Sequence, residues 1–151
     1  MKRDSRLSGV LHAVLHMAEH DMPMTSEALA AHMMTNPVVV RRIMAGLREA
    51  GIVTSAKGHG GGWMLACDLE KVTLMDIYEA LGSPEFFAIG NRTESPGCLV
   101  EQAVNAALDD AFRDAEAMLI AWLGEVTLAR LSADFHQRFM DYKTGVSNHD
   151  V

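Results

Sequence analysis

Arg41, Arg42 and Arg48 lie close together, and Lys57 follows just ahead of a glycine-rich run, Gly58-His59-Gly60-Gly61-Gly62. Guanidinium forks and an ammonium at such spacing suit phosphate oxygens and the acceptor edges of bases, which is nucleic-acid chemistry. The glycine run lacks the Gly-Lys-Ser/Thr ending of a nucleotide-binding loop. Its glycines read as positions of positive backbone angle and of close approach to DNA. His12, His16 and His20 recur every four residues. On a helix they share one face that could supply two metal ligands, or simply a polar flank beside DNA; with no cysteine or acid assured nearby, no metal site is assigned. Cys67 reads as a packed small residue. Cys98, after Pro96-Gly97, stands just ahead of a helical pattern whose N-terminus would favour a thiolate. It reads as a redox-sensing candidate, as a plain structural thiol, or as one ligand of an iron–sulfur cluster completed by other side chains. No Ser/His/Asp set, carboxylate pair or HExxH motif supports catalysis, and no cofactor is assigned.

These groups need a scaffold, and 151 residues with 49% hydrophobic and 22% charged positions suffice for one core with an appendage. No apolar run approaches the roughly 18 residues of a membrane span. The basic start, Met1 to Arg6, leads into a stretch interrupted by His12, His16 and Glu19, unlike a signal peptide. Two cysteines make no disulfide framework, so a reduced, cytoplasmic protein is expected. The net charge of −7 is split unevenly: residues 1–62 carry seven basic and five acidic side chains, the remainder six and fifteen. The first part therefore carries the surface for an anionic partner.

Periodicity supplies the elements. Leu7, Val10, Leu11, Val14, Leu15 and Ala18 predict a helix over about 6–20, stopped by Asp21-Met22-Pro23. Thr25 or Ser26 supplies the cap of a second helix ending near Met34. Asn36-Pro37, a capping residue followed by proline at the first helical position, opens a third that runs to Ala50 with Gly51 as its left-handed stop. Residues 52–56 and 63–67 read as strands. Two short helices joined by a tight turn and followed by such a hairpin make a winged helix-turn-helix, with the third helix suited to the major groove. Asn36, Val38, Val39, Arg41 and Arg42 stand in its first turns, where groups reach base edges. Arg48 and Lys57 suit phosphate, and the wing tip with His59 and Gly60 suits backbone or minor groove. The two valines fit thymine methyl contact or the core equally. Trp63 and Trp122 read as core anchors.

Thr73 to Asp76 resembles a capping box opening a helix through Leu81, and Gly82 to Gly97 is loop-like. Val100, Val104, Leu108, Ala111, Ala115, Leu119 and Trp122 then recur along a helix of roughly 24 positions that Gly124 ends, with a short helical turn at 127–131 and a frayed end beyond Tyr142. So long a stripe predicts a partner helix, with Val104, Leu108, Ala111, Ala115, Leu119 and Trp122 in the interface. The fold class is mainly α with a small β-wing: a winged helix-turn-helix domain plus a long C-terminal dimerisation helix.

Asn36-Pro37-Val38-Val39-Val40-Arg41-Arg42, Leu47 to Val53, Lys57 to Ala66 and Val72 to Leu81, with Cys98 ahead of the long helix, resemble the Rrf family of bacterial winged-helix transcription regulators over about 125 residues. The resemblance implies a homodimer crossed through the long helix, reading a palindromic double-stranded operator, often as a repressor. It divides the chain into a DNA-binding domain (1–81), a sensor-type loop (82–98), a dimerisation region (99–141) and a flexible tail (142–151). Iron–sulfur members place three cysteines in that loop, where this chain has Cys98 alone, so it resembles the single-loop-cysteine subgroup. Members often carry an acid where Arg41 stands, so their base preferences do not transfer. A winged helix used only to bind proteins is the alternative, and a cluster- or metal-responsive regulator with unusual ligands is another.

Overall fold

The computed structural model describes residues 3–57, 61–87, 89 and 91–147. Three helices come first: α1 (Arg6–Ala18), α2 (Ser26–Met33) and α3 (Pro37–Glu49). Their ends follow the local chemistry read above. Thr25 accepts a hydrogen bond from the Ala28 N–H, and Asn36 accepts one from the Val39 N–H at 3.1 Å. Gly51 takes φ +77°; its N–H donates to the Arg48 carbonyl and that of Ile52 to the Leu47 carbonyl, a Schellman stop.

Strands β1 (Val53–Ser55) and β2 (Trp63–Leu65) pair antiparallel, shorter than the predicted runs, and β2 also bridges Met24 ahead of α2. That bridge corrects the reading of the last wing glycine. Gly62 does not have a positive φ; a Cβ there would strike the Met24 carbonyl, so glycine is needed for the wing base to meet the chain before α2. Trp63 is buried as predicted, and its indole N–H donates to Ser26 Oγ at 3.1 Å.

Helix α4 (Leu74–Ala80) opens with the capping box complete in both directions. The core gathers one face from each element: Val10 and Val14 of α1, Leu29 of α2, Val40, Met44 and Leu47 of α3, Val53 of β1 and Ile77 of α4. Each such side chain contributes about 1.5–3 kcal/mol of burial. Helices α3 and α4 approach closely at Gly46, where a Cβ would lie 2.7 Å from the Ala80 carbonyl oxygen. Gly46→Ala, which gains about 1 kcal/mol of helix propensity, is nevertheless expected to destabilise by about 1–2 kcal/mol, because two backbones must part. Gly124→Ala, with nothing within 4 Å, is expected to stabilise slightly, and urea unfolding of the two variants measures the opposite signs.

Helix α5 (Leu99–Glu125) runs through Gly124 rather than ending at it, and α6 (Leu128–Ser147) replaces the short turn expected at 127–131, continuing past Tyr142. The break between them is made by docking. Leu74 N–H donates to the Val126 carbonyl, Leu128 N–H to the Val72 carbonyl, and Val126 and Leu128 are buried in the winged-helix core. The Thr127 hydroxyl then accepts the Arg130 N–H, capping α6. Between α4 and α5 the loop is tied down: Phe86 stacks on Tyr78, Phe87 meets Phe112, and Asn105 donates to the Arg92 carbonyl. Among the described residues no helix is long and apolar enough to cross a membrane.

Candidate nucleic-acid interface

Burying Val40, Met44 and Leu47 turns the opposite face of α3 outward. That face carries Val38, 59% exposed, with Arg41, Arg42 and Arg48 also exposed; Val39 lies half-buried at its edge. No acidic residue occurs in α3 before Glu49. The valines thus separate: Val38 is outside, Val40 is core, and Val39 is between.

The cations differ in how they are held. Arg41 is 3.9 Å from Glu27 of α2, with both side chains mostly in solvent, a pair worth under about 1 kcal/mol and easily exchanged for another anion. The Arg48 guanidinium lies over the Trp63 ring, 5.8 Å from its centroid, so it braces α3 against the wing base. Lys57 is exposed beyond β1. Asn36 spends its Oδ1 on the helix cap. His59 and Gly60 lie outside the described residues.

The acids lie elsewhere. Asp109, Asp110, Asp114 and Glu116 are exposed on α5, with Asp110 paired to Arg113. Along the same helix Val104, Leu108, Ala111, Leu119 and Trp122 are exposed and Ala115 is half-buried, so within one chain the predicted interface stripe is uncovered. Trp122, expected as a core anchor, is 54% exposed: the α5 end buries Leu123 against the domain, and a neighbouring helix position must face away. Exposed Phe135, Phe139 and Tyr142 of α6 were not assigned any role from the sequence.

Cys98 occupies the N-cap position of α5, exposed and without a side-chain cap bond. The loop leading to it is held, with Gln102 donating to the Pro96 carbonyl at 2.8 Å. Cys67 is half-buried, and burial pushes its thiol pKa up, which keeps it protonated.

The histidine group is assembled differently from the helical spacing. His32 of α2, not His20, joins His12 and His16. Burial, then the neighbouring His32 and His12, hold the His16 imidazole below its usual pKa. Only the packing of α2 on α1 brings His32 in; its position in the last turn of α2 was the available signal.

A short helix pair, an outward cationic third helix and a hairpin wing define a winged helix-turn-helix protein of the transcription-regulator class. The Rrf2 family, described as iron-dependent transcriptional regulators, matches residues 3–134, and the chain belongs to that family of DNA-binding regulators, not to an enzyme family. It is similar to YwnA of Bacillus subtilis (strain 168), named as an HTH-type transcriptional regulator, with 33% identity over 113 residues, 75% of this chain and 84% of the relative. A crystal structure of a transcriptional regulator from Lactobacillus plantarum matches with a TM-score of 0.72 at 26% identity, covering 94% of this chain and 98% of that one. IscR of T. potens shares the fold, with a TM-score of 0.63 at 21% identity over 89% of this chain and 88% of that one.

The family description raises iron. A cysteine-held cluster takes four ligands, mostly thiolates. This chain offers Cys98 alone in the loop before α5, and its other cysteine, Cys67, lies just past β2. The donor set does not fit such a cluster.

Proposed function

We propose that the protein is a homodimeric repressor that reads a palindromic operator through the outward face of α3. The observation that carries this reading is the exposure of Val38, Arg41 and Arg42 on the helix that follows the tight turn, a helix with no acid of its own before Glu49. First-turn groups, with Val39 and the Asn36 amide beside them, address base edges, while Arg48, Lys57 and the wing tip with His59 and Gly60 address phosphates. The uncovered α5 stripe, Val104 to Trp122, supplies the dimer seam, and a two-fold dimer calls for an inverted repeat. Residues 1–81 then serve as the reading domain and 82–98 as the loop between reader and seam, in a reduced, cytoplasmic protein.

Selection from a random DNA pool tests the reading. Enrichment of an inverted repeat with half-sites about one helical turn apart, roughly 34–36 Å, is the expected result. Failure to enrich any sequence, or binding indifferent to salt, favours a protein-interaction module instead. Repression is checked by placing the selected site over a reporter promoter.

Cys98 is the proposed point of entry for a thiol signal, being exposed at the junction of loop and seam. Oxidation there, or a disulfide to a second copy, alters the spacing of the two α3 helices. A tenfold change in affinity needs only about 1.4 kcal/mol between the arrangements. Operator affinity of wild type is expected to change after mild peroxide or diamide, and that of Cys98→Ser to stay constant. An equal response in both proteins removes Cys98 as the sensor.

A further inference from the structure

The three histidines between α1 and α2 are not used by the DNA-facing surface. His12 and His16 stand one helical turn apart on α1, and His32 reaches them from the last turn of α2. One ring nitrogen from each lies within 4.8 Å of the others. The Nε2 atoms of His12 and His16 are 2.9 Å apart, and the His16 and His32 rings stack with centroids 3.9 Å apart. A tetrahedral cation with metal–nitrogen bonds of about 2.0–2.1 Å holds its ligands roughly 3.4 Å from one another, inside this spread. Two imidazoles can satisfy each other by sharing one proton. A third ring crowded against them gains nothing from that proton, and a cation accommodates all three lone pairs.

We propose that His12, His16 and His32 form a binding site for a divalent transition-metal ion of the zinc type. Neutral imidazoles suit zinc, copper, nickel or iron, whereas calcium and magnesium require oxygen ligands that the group does not offer. The exposure of His12 leaves an entry path, and three protein donors leave the fourth position to water or a small ligand. The bound ion staples α1 to α2, the helix that leads through Met34 to Asn36 into α3. The site is independent of the operator reading, since no residue of the α3 face takes part in it.

The test uses the full chain without a histidine tag, stripped with chelator. Cobalt(II) titration is expected to give visible ligand-field bands of tetrahedral intensity saturating at one equivalent, displaced by zinc. Zinc is expected to raise the melting temperature of the wild type. His12→Ala and His32→Ala are each expected to weaken binding by about 100-fold or more, since even outer-shell changes cost 10–100-fold. His20→Ala and His136→Ala are expected to bind as wild type. His12 is exposed, so its variant keeps the test valid even where His16→Ala fails to fold. Absence of stoichiometric binding at micromolar metal overturns the site. Wild-type affinity in His32→Ala reduces it to an exposed helix pair, and loss of affinity in His20→Ala moves it to the face of α1 alone; either result also overturns it.

Discussion

The Arg41→Ala/Arg42→Ala double variant is expected to lose operator binding while folding normally. Both side chains are exposed and contribute nothing to the apolar core, and among the described residues the one ion pair broken is the solvated one between Arg41 and Glu27. A bidentate arginine–base contact is worth about 1–3 kcal/mol, and in the proposed dimer each contact is lost twice. Affinity is therefore expected to fall at least ~100-fold. Each arginine that meets phosphate also contributes to counterion release, so the slope of log affinity against log salt should shallow by about one per contact. Lys57→Ala should shallow the slope and leave base preference unchanged. Fluorescence anisotropy across a salt series, with circular dichroism for the fold, separates these effects. Unchanged binding in the double variant would move the reading surface off α3.

Leu119→Asp is expected to yield a monomer or an aggregate. In a single chain Leu119 is 40% exposed and Ala111 is exposed, so an aspartate at either position leaves the winged-helix core untouched. In a seam between two α5 helices the same carboxylate is buried without a partner, which costs several kcal/mol, about 3–5 for an uncompensated charge. Leu128→Ala makes the contrast: Leu128 is fully buried where the α5–α6 junction docks, and its truncation should cost about 2–5 kcal/mol of protomer stability. Light scattering reports the mass and urea unfolding reports the stability. A wild-type protein of one-chain mass at micromolar concentration contradicts the seam.

The first three helices were legible because their boundaries are local chemistry. Thr25, Asn36-Pro37 and Gly51 act within one turn of their own position, and the structure uses each as its type dictates. The Thr73–Asp76 box is the same case. Helix α6 was legible too and missed: Leu128, Leu131, Phe135, Phe139 and Tyr142 recur at three and four, but only a short helical turn at 127–131 and a frayed end beyond Tyr142 were read there. Gly124 misled for a related reason. A glycine ends a helix only when its backbone turns left-handed, and here the stop comes two residues later, from docking.

By itself the sequence determined the helix-turn-helix, the wing, the cationic third helix and the apolar stripe of α5, because periodicity, caps and charge act over a few residues. The tertiary structure decided the rest. Gly62 is glycine because Met24 passes against it, Trp122 faces outward because Leu123 faces in, and the junction at Val126 is set by strand-like bonds to Val72 and Leu74. His32 stands 16 residues from His16, and only the packing of α2 on α1 makes them neighbours. Contacts between residues far apart in the chain depend on how whole elements cross, and no local pattern in this sequence encodes that angle.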